Sequence, residues 1–220
     1  MPKSVKVGDA SGLHRLPPGR HGLERDFVVR NQRDRLTAGV IAVVGERGYR
    51  EATISQICAA AGVSRRTFYG YFDSKEECFG EAFDRITEHL DGALREAVDR
   101  ENDWPVRVRA RLEVLLGIFA ANPDILRFSW IAPLRAGDAI TSYHQLALEN
   151  LLRALCEDKP SEGLRQPSQV VEHAVAGGMM ALMAARVESG GGSRLPDLLP
   201  DLLELFLTPY LGRAEAVRAL

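Results

Sequence analysis

The sequence predicts an all-α protein: an N-terminal three-helix unit of helix-turn-helix type, then a larger helical body. Three observations carry that expectation. Apolar residues recur at helical spacing along most of the chain, and no segment shows the strict apolar–polar alternation of a half-buried strand. Between Thr53 and Phe79, two cap signatures and a glycine punctuate the chain at short intervals. Elsewhere the breaks fall at Pro and Gly, near Trp104-Pro105, Asn122-Pro123, Pro133 to Gly137, Lys159 to Pro167 and Ser189 to Pro196.

Residues 1–24 are rich in Gly and Pro, lack a helical period and read as a disordered arm. Lys3, Lys6, Arg15 and Arg20 make it either a groove-binding arm or, as its composition favours, a solvated tail. Residues 25–75 form the first folded unit. Its opening helix puts Leu36, Val40, Val43 and Val44 on one face and stops near Gly48. Thr53 and Gln56 form a T-x-x-Q capping box, so a helix starts at Ile54. Ile54, Ile57, Cys58 and Ala61 share its apolar face, and Gly62 ends it where a left-handed backbone favours glycine. Ser64 caps the next helix, which the pattern carries from Arg65 to Phe72. Phe68 and Phe72, four apart, anchor it to a core, while Arg65, Arg66, Thr67, Tyr69 and Tyr71 point largely elsewhere. Ser74 and Glu77 open a long helix to about Arg100, with Phe79, Ala82, Phe83, Ile86, Leu90, Leu94 and Val98 in one stripe. Starting in the first unit and ending in the second, it is their natural mechanical link.

Two helices joined by a short Gly-containing turn make a helix-turn-helix, whose second helix lies in the DNA major groove. Arg65 and Arg66 begin that helix, and an Arg bonded bidentately to guanine gives about 1–3 kcal/mol of discrimination. Ser64, Thr67, Tyr69 and Tyr71 are candidate phosphate or base-edge ligands. Thr53 and Lys75 each stand at a helix N-terminus, where the backbone already favours a phosphate. Solvated arginines, packed tyrosines and a surface lysine are the competing roles. Charge is distributed to match: residues 1–80 hold 13 Lys and Arg against 9 Asp and Glu, and residues 81–220 hold 15 against 21. The net charge of -2 therefore conceals a basic first third, the footprint of a nucleic-acid reader.

The segment from about Arg33 to Phe83, centred on AGVSRRTFYGYFDSKEE, resembles the TetR family of bacterial transcription regulators. Its RLTAGVIAVVGERGYREATISQI is similar to the family's first helix, Gly-Tyr stop and second-helix Thr. Arg66 stands where the family often has Gly, Gly70 where a larger residue is usual, and Tyr71 where His is common. The resemblance implies a homodimer on a palindromic operator in double-stranded DNA, released by a small-molecule effector, with repression the usual outcome. A ligand-independent architectural protein, or a regulator controlled by a protein partner, is the alternative.

Residues 76–220 are then the effector-binding and dimerisation domain. Trp104, Phe119, Phe128, Trp130, Tyr143, Met180 and Met183 are available to line a cavity, with His144 as a polar contact. Such residues at helical spacing also make plain core; the resemblance implies an effector pocket here. The lack of a dense charge cluster among them favours an apolar or amphipathic effector. Ala174, Gly178 and Ala181 are small residues that let another helix approach, and Leu199, Leu202, Leu203 and Phe206 form a wide apolar face. The resemblance implies that these two helices pack on their mates as a four-helix bundle; packing within one chain is the alternative.

The remaining features narrow the function class. HExxH, GxSxG, GxxxxGK[ST] and GxGxxG are absent, so catalysis is not expected, nor is a cofactor or metal. No apolar run reaches the roughly 18 residues that span a bilayer, and no apolar signal segment opens the chain. Cys58, Cys78 and Cys156 are odd in number and form no C-x-x-C, which fits a reduced cytoplasmic protein.

Overall fold

The computed structural model describes residues 25–98 and 103–218, with side chains from residue 31 onward. The arm at 1–24, and the expected end of the long helix at Arg100, lie outside them. All regular structure among the described residues is helical.

The first unit follows its punctuation. Helix α1 (Arg25–Arg47) stops at Gly48 and buries Leu36, Val40, Val43 and Val44. Helix α2 (Ile54–Ala61) opens on the Thr53–Gln56 box: the Gln56 N–H donates to Thr53 Oγ1 at 3.3 Å, and the Thr53 N–H to Gln56 Oε1 at 2.8 Å. Gly62 closes it at φ 62°, a conformation that costs other L-residues about 1–2 kcal/mol. Helix α3 (Arg65–Phe68) is one turn long, shorter than the expected run to Phe72. The Gly70 N–H reaches both Arg66 O and Thr67 O, so the coil tightens there before ending at Phe72. Helix α4 (Lys75–Glu96) starts where expected, although Glu77 closes its box on the Asp73 N–H, one residue earlier than the usual geometry.

The larger unit packs around α4. It comprises α5 (Trp104–Ala121) and α6 (Pro123–Leu126), which continues through a π-helical turn at Arg127–Ile131 into α7 (Ala132–Arg135). Helices α8 (Ser142–Cys156) and α9 (Gln169–Glu188) follow, then a 3-10 segment (Gly192–Leu198), α10 (Leu199–Leu211) and α11 (Arg213–Arg218). Two buried arginines of α5 hold the C-terminus of α8. Arg107 donates to Asp158 O at 2.9 Å, and Arg111 donates to Glu157 O at 3.1 Å. Cations there satisfy orphan carbonyls and oppose the helix dipole. Trp104, expected to line a cavity, is 2% exposed and donates its indole N–H to Leu155 O at 3.1 Å, so it belongs to the same tie.

The two units meet along α1, which packs on α6 and the π-helical turn, and at one buried ring of α4. Phe79, fully buried on α4, meets Tyr49 edge-on at 5.5 Å, stacks on Phe128 at 4.2 Å and meets Tyr143 edge-on at 5.1 Å. Phe83 continues the cluster onto Tyr143 at 4.9 Å. Gly80 lets the Tyr143 ring come this close, since a Cβ there would lie 2.4 Å from its hydroxyl oxygen. Phe128 and Tyr143, expected to line a cavity, are thus spent on the junction. Outside it, Arg33 and Arg85 of α1 and α4 share Glu81, and Arg85 also reaches Asp34; such exposed pairs contribute little.

Phe79→Ala should cost about 3–5 kcal/mol in urea unfolding, the range for truncating a buried Phe. A loss below about 1 kcal/mol would mean that the two units do not depend on this ring.

Candidate nucleic-acid interface and buried slot

The helix-turn-helix presents a small basic tip. The Val63 N–H bonds Cys58 O at 3.0 Å, and Arg35 of α1 clamps Gly62 O at 2.9 Å, so the turn is held from both sides. Ser64 Oγ accepts the Thr67 N–H at 3.0 Å and lies 2.9 Å from Thr67 Oγ1. Phe68 and Phe72 are buried and fix the roll of α3. That roll leaves Arg65 and Arg66 exposed, neither in an ion pair with a described residue. Tyr69 is 50% exposed beside them, its ring edge-on to Phe68.

Two expected ligands face inward. The Lys75 ammonium donates to Tyr49 O at 2.8 Å and Ala52 O at 2.9 Å, and lies 4.1 Å from the Tyr49 ring centre. Burial lowers its pKa, which the neighbouring Glu76 opposes. Lys75 thus caps the turn between α1 and α2, because its half-buried cation needs those carbonyls. The Tyr71 hydroxyl donates to Gln32 Oε1 at 3.0 Å, so it too ties the segment after α3 to α1. Thr53 stays exposed, with Oγ1 inside its capping box. The Tyr49 hydroxyl donates to Glu76, and this bond is the main reason the Glu76 carboxyl sits below the usual carboxylate range.

The larger unit contains an apolar slot between α4, α5 and α8. Its walls are Phe83, Ile86, Leu90 and Leu94 of α4, Leu115 and Phe119 of α5, and Ala147, Leu151 and Ala154 of α8, with Met180 and Ser129 at the inner end. Its volume is about 60 Å³, well below the roughly 300–1,000 Å³ of ligand sites. Of the expected lining only Phe119 and Met180 reach it. Met183 is fully buried core. The Trp130 and His144 rings lie 3.8 Å apart, tilted by 39°, and line a wider, open groove beside Gly177, Ala181 and Ala185 of α9. Burial lowers the His144 pKa. The α8 residues of the slot were missed, although Ala147, Asn150, Leu151 and Ala154 recur at helical spacing.

The expected dimer face divides in two. Leu202, Leu203 and Phe206 are at most 1% exposed and Leu199 is half-buried. The stripe of Leu202, Leu203 and Phe206 faces α5 and α9 of the same chain, where Phe206 meets Trp104, which leaves Leu199 the most open of the four. On α9, Ala174 and Ala181 are exposed, and a Cβ on Gly178 would meet nothing within 4 Å. Helix α9 is, among the described residues, long and apolar enough to cross a membrane, yet only 28% of its most apolar window is buried. Leu182 and Val171 lie open on it.

Comparison with known proteins identifies the first unit. Residues 37–82 match the model of the family described as bacterial regulatory proteins, tetR family. The nucleoid occlusion factor SlmA of Pasteurella multocida is 30% identical over 82 residues, 37% of this chain and 41% of that protein. The chain thus spans less than half the length of the first curated relatives it matches. FadR of Bacillus halodurans, a fatty acid degradation regulator, superposes with a TM-score of 0.68 at 20% identity, over 80% of this chain and 94% of that one. FadR of Bacillus subtilis, solved in complex with stearoyl-CoA, gives 0.66 at 16% identity, over 80% and 97%. At such identities these structures establish the fold.

The Glu76 bond has a pH signature. A carboxyl with a lowered folded pKa stabilises above its unfolded value near 4.5 and loses that contribution as pH falls through the folded pKa. Tyr49→Phe should therefore lower the urea midpoint at pH 7, and the gap from wild type should narrow by pH 3. A gap equal at both values would rule out the bond as its source.

Proposed function

Because this chain belongs to the TetR family of bacterial regulatory proteins, we propose that it is a ligand-responsive transcriptional repressor. It acts in the cytoplasm, binds a palindromic operator as a homodimer, and is released by a small apolar or amphipathic effector. Residues 25–75 read the DNA, and residues 76–220 sense the effector and dimerise.

The observation that carries this is the tip of α3: two exposed arginines without acidic partners among the described residues and a half-exposed tyrosine, on a helix rolled by two buried phenylalanines. Arg65 and Arg66 reach base edges, while Ser64, Thr67, Tyr69 and the start of α2 at Thr53 take phosphates. Tyr71 and Lys75 act indirectly, by fixing the frame. The half-covered apolar face of α9 supports dimerisation, since a second α9 packed on Ala174, Gly178 and Ala181 removes it from water. Two recognition helices about one helical turn of DNA apart then read a palindrome.

The slot supports effector control. Phe83, Ile86, Leu90 and Leu94 line it from the helix whose first turn carries Phe79, in the core of the reading unit. A ligand of ordinary size must open the slot, which parts α4 from α8 and shifts the reading unit. Moving the population from 1:99 to 99:1 takes about 10⁴-fold differential affinity. The stearoyl-CoA bound to the Bacillus subtilis FadR is amphipathic, in line with the walls of this slot. The SlmA likeness, 30% identity over 82 residues, favours a second possibility, a DNA-binding protein with no effector.

Fluorescence anisotropy on the DNA upstream of its own gene tests the proposal. Wild type should bind a palindrome tightly, and Arg65→Ala/Arg66→Ala should weaken binding at least 100-fold and relax the sequence preference. Weak binding, indifferent to sequence and to both arginines, would contradict it.

A further inference from the structure

The slot has an ionic mouth. Its inner end is closed by buried Phe119, Ser129 and Met180. Its outer end carries Thr87, Asp91, Asn150 and Arg153. There the Asp91 carboxylate is shared by two guanidiniums. Arg153 Nη1 donates to it at 2.9 Å, and Arg95 Nη2 lies 3.2 Å away. Arg153 Nη2 donates to Asn150 Oδ1 at 3.3 Å, which orients the guanidinium and leaves the Asn150 amide N–H groups free to donate. Two cations thus converge on one carboxylate at the rim of an apolar channel; Arg153 lines the channel beside the Asn150 amide, and Arg95, just outside it, also reaches Glu157 at 3.5 Å.

We propose that Asp91 occupies the place of a ligand's anionic head, and that the effector is an alkyl chain ending in a carboxylate or phosphate, which takes Arg153 and Arg95 from Asp91 as its chain enters the slot. This rests on the slot being the effector site. The exchange is easy because Arg153 and Arg95 have half-exposed side chains, and ion pairs of that exposure contribute little to stability. An arriving anion replaces one charge-assisted bond by another. The chain supplies the apolar surface that drives entry. A neutral head gains no such bond and leaves Asp91 in place.

Decanoate, decyl phosphate and decanol share one chain and differ in the head. Binding of each is measured by isothermal titration, and release of DNA by anisotropy. At least one anion should bind wild type tenfold or more tighter than decanol, and the stronger of the two identifies the head. Arg153→Gln should remove that preference and change decanol less than threefold, Arg153→Lys should restore part of it, and Asp91→Asn should tighten the anion. Equal binding of all three, or equal weakening of all three by Arg153→Gln, overturns the anionic head. Should decanol still release DNA, the slot remains the effector site; if no probe binds, the amphiphile proposal falls, and the DNA titration alone judges the regulator.

Discussion

The structure depends on the Phe79 junction. Helix α4 belongs to both units, and beside the packing of α1 on α6 it joins them through one ring. Phe79 touches Tyr49 on one side and Phe128 and Tyr143 on the other. Aromatic pairs at such separations contribute about 0.5–1.5 kcal/mol each beyond area burial. Three on one ring make it costly for the first turn of α4 to move independently of either unit. The polar framing next to it works the same way: Lys75 ties two carbonyls of the preceding turn, and Glu76 takes the hydroxyl of the tyrosine that meets Phe79.

Around that junction the two units obey different constraints. In the reading unit the turn is over-determined by Gly62, the Ser64 cap and the Arg35 clamp, so α3 is rigid despite being one turn long. In the sensing unit the core is tight around Trp104, Arg111 and Phe206 but leaves a narrow apolar slot against α4. Rigid presentation and a compressible sensor are complementary. On the proposed mechanism, a motion originating in the slot would reach α3 as a tilt of the whole reading unit, because the turn itself is held from both sides.

How much of this was legible in the sequence depended on how local each signal was. The caps at Thr53, Ser64 and Ser74 and the stop at Gly62 involve neighbours within a few residues, and they lie where the pattern put them. The length of α3 was overestimated, since the pattern of Phe68 and Phe72 does not reveal the tightening at Gly70. Lys75 was misplaced because its carbonyl partners precede it by more than twenty positions. Lining residues are non-local in the same way: Trp104, Phe128 and Tyr143 have the right chemistry for a cavity but went into ties and junctions. The leucine face of α10 shows the commonest ambiguity. An amphipathic stripe reports that a helix packs, and does not report whether the neighbour belongs to the same chain.

Opening the slot should move the reading unit even with no ligand present. Ala147→Trp adds a ring to the slot wall, with indole fluorescence reporting its burial. A spin label at Glu51→Cys in a Cys156→Ser background gives the distance between the two reading units of a dimer by double electron–electron resonance. A buried indole should shift or broaden that distance distribution relative to Ala147. A blue-shifted, buried indole with an unchanged distribution would contradict this coupling.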